Sequence, residues 1–265
     1  MQYAPSASLS KYIKHYLLFN VPSNDQRKYR HFSNGHQGLV FILKNGELTL
    51  LNSRTKLPET FVLGQLSKSQ EFQIKGTVSV LIVLFQPSGF YELTSIPGSK
   101  YINSFEDSRL IFGNEILKLK ERLQLCSDSS IMINYLDSYF TEKAKGRQHS
   151  MTPSLENAVG IINNEKGRLS VNELCAKTGI TERKIQRLFF EQIGISPKKF
   201  IGNIRLHSFL RQLRNEGDFS SLTKLSLDAG YYDQAHLIRE FQKIVGIAPT
   251  EYLKTSRLAV NLFEV

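Results

Sequence analysis

The chain has 265 residues, 41% of them hydrophobic, with 34 Lys+Arg against 24 Asp+Glu and a net charge of +10. That allows one large or two ordinary domains with real cores. No apolar run reaches membrane-spanning length, the N-terminus lacks a signal-peptide pattern, and two distant cysteines, Cys126 and Cys175, fit a reducing cytoplasm rather than a disulfide scaffold. A basic chain favours polyanion partners. The excess is spread out, however: residues 1–150 carry 18 Lys+Arg and 12 Asp+Glu, residues 151–265 carry 16 and 12. Charge alone is weak evidence for nucleic acid, and the elements must carry the argument.

Residues 8–19 are expected to begin as a short helix and then extend. Short apolar runs follow at 38–43, 47–51, 60–63, 71–74 and 78–85, separated by turn signals such as Asn45-Gly46 and Gly76. Asn-Gly between apolar runs predicts a hairpin. The reading is a β-rich domain, a sandwich or an open cupin-like barrel, with a helical turn near 91–94. Phe41, Phe61, Phe72 and Phe85 either line a ligand pocket or form plain core. His31 and His36 are the close histidine pair, but with Glu47 they do not reproduce a metal-binding spacing. No metal or cofactor is expected. There is no Ser/His/Asp constellation at a recognisable elbow, no Gly-rich phosphate loop and no paired-Cys motif.

Residues 106–145 read as amphipathic helices, centred on 114–125 and 131–140, that pack on the β domain or make a dimer seam. The polar stretch 143–150, with Gly146, marks the linker. The expected division is 1–145 for the front domain, 146–152 for the linker and 153–265 for a helical domain.

That helical half contains one pattern twice, offset by 52 residues. Ile185 matches Leu237, Arg187 matches Arg239, Phe189 matches Phe241, Gly194 matches Gly246, Pro197 matches Pro249 and Phe200 matches Tyr252. Each copy has the grammar of a helix, a glycine turn and a helix. Ser170-Val-Asn-Glu173 is a capping box, Gly179 turns the chain and Thr181 caps a helix to about Ile193. Ser220 or Ser221 opens the second copy, Gly230 turns it and Asp233 caps its last helix. Pro153 and Pro197 start helices at their first position. The helix from Pro197 to about Asn215 joins the two copies.

On the first reading helix Ile185, Leu188, Phe189 and Ile193 form the core stripe. Arg183 and Arg187 lie opposite, with Lys184, Gln186, Phe190 and Glu191 beside them. On the second, Leu237, Phe241, Ile244 and Val245 face inward and Ala235 and Arg239 outward, with Ile238, Gln242 and Lys243 adjacent. Gln234 sits at the helix start, and Glu240 holds the position of Leu188, so that edge is expected to be unburied. Arg pairs with guanine O6 and N7 and Gln with adenine, which suits major-groove reading. Lys198, Lys199, Arg205 and Arg211 are candidate phosphate contacts.

The stretches 181–189, Gly194-Ile-Ser-Pro197, Ala229-Gly230-Tyr231, 233–241 and 246–252 resemble the AraC/XylS-type transcriptional regulators. The resemblance implies an α+β chain: a β-rich cupin-like front domain with trailing helices, then a seven-helix double helix-turn-helix domain. It places base-facing positions at Arg183, Gln186, Arg187, Gln234, Ala235, Ile238 and Arg239. Implied partners are double-stranded DNA, RNA polymerase, a small-molecule effector and a second copy of the chain. The competing class is a DNA-targeted enzyme with a reactive cysteine, for which Cys126 would have to be activated.

Overall fold

The computed structural model describes residues 1–265 except 22–27, 45, 147–150, 217–221, 256, 260 and 265. The strands β1 (Gln2–Tyr3), β2 (Ile13–Val21), β3 (Lys28–His31), β4 (Gly38–Ile42), β5 (Glu47–Leu50), β6 (Thr55–Lys56), β7 (Thr60–Leu63), β8 (Gln70–Lys75), β9 (Val78–Phe85) and β10 (Phe105–Asp107) come first. Helix α1 (Gly89–Thr94) precedes β10, and α2 (Arg109–Phe112), α3 (Glu115–Leu125) and α4 (Ser129–Ala144) follow it. Then come α5 (Pro153–Asn164), α6 (Val171–Thr178), α7 (Glu182–Leu188), a π-helical turn (Phe189–Ile193), α8 (Pro197–Glu216), α9 (Leu222–Asp228), α10 (Gln234–Val245) and α11 (Pro249–Tyr252). Strands β11 (Arg257–Ala259) and β12 (Leu262–Glu264) end the order. The α+β expectation holds, with seven helices described after residue 152. Among the described residues no helix is long and apolar enough to cross a membrane.

The strands make two antiparallel six-stranded sheets, ordered β1-β2-β9-β4-β7-β10 and β11-β12-β3-β8-β5-β6. Successive side chains alternate faces. In β9, Val80 and Ile82 enter the core between the sheets, while Leu81 and Val83 pack outward under Ile116, Leu119, Leu123, Leu136 and Phe140 of α3 and α4. Central strands covered on both faces favour hydrophobic residues along their length, which is why 38–43 and 78–85 read as nearly continuous apolar runs, with Ser79 bonded to Asn20. The trailing helices therefore close one face of the β domain.

Two expectations change. The runs on either side of Asn45-Gly46 are not a hairpin: β4 pairs with β7 and β9, whereas β5 pairs with β6 and β8 in the other sheet. Asn45 lies outside the described residues. Gly46 is required here by crowding, since a Cβ on it would stand 2.2 Å from Val78 Cγ2 and 2.9 Å from the Thr77 carbonyl oxygen. The N-terminal segment begins as a short 3-10 helix (Ala7–Leu9) and then extends into a nine-residue strand, as expected. The second change is that β12 does not stay with the helices: it pairs antiparallel with β3 of the front domain, Leu262 opposite His31 and Glu264 opposite Tyr29. Asn261 clasps Phe32, accepting from its amide and donating from Nδ2 to its carbonyl, both at 3.1 Å. Linker residues 147–150 and the expected opening at Ser220 or Ser221 lie outside the described residues.

Helix α8, about 30 Å long at 1.5 Å per residue, serves two cores. Phe200 and Ile201 join Leu174, Ile185 and Phe189; Leu206, Phe209, Leu210 and Leu213 join Leu225, Leu237 and Phe241. The second core also takes Phe32 from the front domain, whose ring lies 5.6 Å from His207 of α8. Beside it runs a buried polar chain. Asn203 Nδ2 donates to Ser33 Oγ at 3.2 Å, Ser33 Oγ donates to Gln65 Oε1 at 3.1 Å, and Gln65 Nε2 donates to the Ile193 carbonyl at 3.3 Å. A Cβ on Gly194 would stand 2.6 Å from the backbone of Gly98, and Gly194 itself has φ +94°. Only glycine satisfies both the left-handed turn and that approach.

The histidines at this junction titrate low. Burial holds His31 and His207 at about 4, with Arg211 and Lys14 further disfavouring charge on His207. Burial, then Lys14 at 2.8 Å from Nε2, keeps His36 well below its ordinary value while Nδ1 faces the Phe85 carbonyl oxygen. Unfolded histidine binds its proton near pH 6.5 and these folded ones do not, so the unfolded chain gains protons first as pH falls. Stability is therefore expected to be full above pH 7 and to decline from about pH 6.5 toward 4. In urea titrations between pH 7 and pH 5, His207→Gln should flatten that decline.

Candidate nucleic-acid interface

Each unit is held by local rules. Ser170 Oγ accepts from the Glu173 amide while Glu173 returns a bond to the Ser170 amide, a complete capping box. Gly179 ends α6 at φ +68°. Thr181 accepts from the Lys184 amide and Asp233 from the His236 amide, so both reading helices, α7 and α10, start on side-chain caps. The repeat also preserves an aromatic pair: Phe189 against Phe200 and Phe241 against Tyr252, each with centroids 5.6 Å apart. These edge-to-face contacts hold each reading helix to the helix that follows it.

With Ile185, Leu188 and Phe189 buried, Arg183, Lys184, Gln186 and Arg187 are exposed. On α10 Leu237, Phe241 and Val245 are buried, Ala235 and Arg239 exposed, and Gln234 and Ile238 half-buried. The side chains of Arg183, Lys184, Arg187 and Arg239 make no hydrogen bond or ion pair with any described residue. Such guanidinium groups are available to phosphates or guanine edges without first breaking a bond. The two glutamines are engaged: Gln186 Nε2 donates to Glu182 at 2.7 Å, and Gln234 Oε1 accepts from Thr223 at 2.8 Å. Tyr232, 86% exposed just before the α10 cap, stands beside these side chains but lies off the helix faces that periodicity marks.

Two features depart from a plain repeat. The first reading helix does not stay α-helical to Ile193 but widens into the π turn, where Gly194 N donates to the Phe189 carbonyl. The extra residue in that turn buries Gln192, whose Oε1 accepts from the Thr152 amide, and delivers Ile193 to the polar chain above. Glu240 is not left at an open edge. Its side chain is 17% exposed and it pairs with Arg205 of α8 at 3.2 Å, while Gly202 leaves room for it: a Cβ there would stand 2.8 Å from Glu240 Oε1. Arg205 also lies over the Tyr231 ring at 5.0 Å. Where Leu188 gives the first unit apolar packing, an ion pair ties the second unit to α8.

A cleft of about 1110 Å³ lies between the two units, lined by Glu182 of α7, Arg239 and Lys243 of α10, and Lys198 and Lys199 of α8. Of the expected phosphate contacts, Lys198 and Lys199 reach it exposed, Arg205 lines it in its pair with Glu240, and Arg211 lies outside. In the front domain a second cavity, about 70 Å³ and wholly apolar, is lined by Phe61, Phe72, Phe105 and Leu262 among others. Phe41 and Phe85 pack instead under the trailing helices. The cavity is far smaller than ordinary ligand sites of 300–1,000 Å³. His36 is buried, His31 half-buried, and no metal-capable group occurs among the described residues. Cys126 Sγ donates to the Arg122 carbonyl at 3.2 Å, and burial raises the Cys175 thiol.

Two capped, glycine-turned helix pairs sharing one long helix, each offering arginines outward, define a double helix-turn-helix protein. Residues 174–255 match a family described as "Helix-turn-helix domain", and residues 1–107 match one described as "Domain of unknown function (DUF6597)". Residues 174–255 thus carry the helix-turn-helix domain that the resemblance above implies. Relatives include the HTH-type transcriptional regulator MtrA of Neisseria gonorrhoeae, 23% identical over 36% of this chain and 31% of that protein. The XylDLEGF operon transcriptional activator 1 of Pseudomonas putida is 25% identical over 40% and 33%. The lactose operon transcription activator of Staphylococcus xylosus is 23% identical over 56% and 60%. The chain thus spans about a third of the length of the first two. A structure of ToxT from Vibrio cholerae, 15% identical, aligns over 90% of this chain and 97% of that one with a TM-score of 0.48.

Glu240→Ala should strand the half-buried Arg205 guanidinium and cost about 1–3 kcal/mol. Thermal melts should show a drop of several degrees, and Glu240→Gln a smaller one because its amide oxygen still accepts from Arg205.

Proposed function

We propose that this chain is a sequence-specific DNA-binding transcriptional regulator that sets α7 and α10 into successive major grooves on one face of a duplex. The observation that carries it is the duplicated set of uncommitted outward cations: Arg183, Lys184 and Arg187 on one reading helix, Arg239 on the other, each behind a capped start. Successive grooves lie about 34 Å apart. The long axis of α8, about 30 Å, brings the units near that spacing, and a modest bend in the duplex takes up the difference. In the first unit Gln186 joins the arginines at base edges. In the second, Gln234, Ala235 and Ile238 flank Arg239, and the apolar pair suits thymine methyl groups.

The front domain buries its interior almost completely, so its role here is to hold the reading units and to pair protomers or respond to a small effector. RNA polymerase and a second copy of the chain are the protein partners of this reading. A cysteine enzyme gains no support from Cys126, whose bond goes to a carbonyl oxygen rather than to a base.

Selection from random duplexes should return a bipartite site. Arg187→Ala and Arg239→Ala are each expected to weaken it by about 1–3 kcal/mol and to relax one base position. Unchanged affinity and unchanged base preference in both variants would remove the proposal.

A further inference from the structure

Residues 65–69 of the front domain reach from one reading unit to the other. Gln65, fully buried, bonds the Ile193 carbonyl at the end of the first reading helix. Four residues later Ser69 meets the end of the second: a Cβ on Gly246 would stand 2.6 Å from Ser69 Oγ. Between these anchors Leu66 is buried and the Ser67 amide donates to Asn103 Oδ1 at 2.7 Å, leaving Ser67 and Lys68 exposed on the lining of the cleft. The loop is a fixed part of the cleft wall, although it belongs to the other domain.

The cleft is unbalanced in charge. Lys68, Arg168, Lys198, Lys199, Arg239 and Lys243 line it exposed, and none forms an ion pair with a described residue. Three acids line it and are outnumbered: Glu240 is ion-paired with Arg205, while Glu173 and Glu182 accept hydrogen bonds from the Ser170 amide and Gln186. A duplex whose successive major grooves hold α7 and α10 must carry the intervening minor groove, and both of its phosphate strands, across the space between those helices. That space is this cleft, and its excess of exposed cations without ion pairs matches that charge.

The geometry points to a DNA-contact surface built by both domains, in which the Ser67-Lys68 loop of the front domain meets the phosphate backbone between the two major grooves. This rests on the DNA-binding reading above. Such a contact carries no base information; it sets affinity and register. It also makes the front domain part of the DNA-binding face.

The test uses the full chain and a duplex recovered by selection, with affinity measured from 50 to 200 mM salt. Lys68→Ala should lower the slope of log affinity against log salt by about 0.9, so that across this range it loses about 3.5-fold less affinity than the parent. Base preferences should stay unchanged, and interference by phosphate ethylation should weaken at the central phosphates. Lys75→Ala, exposed on β8 and outside the cleft, should match the parent. An unchanged slope in Lys68→Ala, or tighter binding from a loop that shields the cleft, overturns the inference. If Arg187→Ala and Arg239→Ala bind as the parent does, the DNA-binding reading itself has failed; if they weaken while Lys68→Ala does not, only this surface has.

Discussion

The arrangement depends on one buried chain of polar groups, from Asn203 through Ser33 and Gln65 to the Ile193 carbonyl. Buried amides and hydroxyls are costly when unmatched and directional when matched. Each of these bonds is met from an element distant in sequence, so the front domain, α8 and the end of the first reading helix satisfy one another at a single setting. Phe32 in the second helical core and the pairing of β12 with β3 act in the same sense. The β domain is therefore a brace that fixes both reading units, and a shift within it has a physical path to α7 and α10.

The two units solve the same packing problem differently. The first closes its edge with Leu188 and leaves its reading helix through a π turn. The second closes it with the Glu240–Arg205 pair, over Gly202 and beside Tyr231. Apolar closure is indifferent to orientation, whereas an ion pair at 17–18% exposure is geometrically demanding and weakens if the helices separate. The second reading helix is thus the more sharply oriented with respect to α8, and the first is tied more closely to the front domain.

Much of this was legible because it obeys short-range rules. Ser170, Thr181 and Asp233 announce helix starts, Gly179, Gly194, Gly230 and Gly246 announce left-handed turns, and the 52-residue offset repeats the aromatic pair that closes each unit. Periodicity then separated core from exposed face on α7 and α10, and it found the two trailing helices. Long-range choices left no such mark. Asn45-Gly46 reads the same whether the chain folds back in one sheet or passes to the other, and only the crowding of Gly46 against Thr77 and Val78 distinguishes them. Strands β11 and β12 are three residues each; they pair with one another, and β12 finds its second partner, β3, more than two hundred residues away. Ser33, Gln65 and Asn203 are ordinary polar residues until the fold brings them together. Glu240 looked like a defect because its partner, Arg205, lies on another helix.

Helix α8 lends side chains to both cores, Phe200 and Ile201 to one and Leu206 and Phe209 to the other. It therefore acts as a graduated axle rather than a tether. One residue inserted near its middle would advance everything beyond it by about 1.5 Å and rotate it by about 100°, pulling the second core out of register with the first. Surface side chains of α7 and α10 are free to change without disturbing either core, but the separation of the two units is set by the number of residues in a single rod.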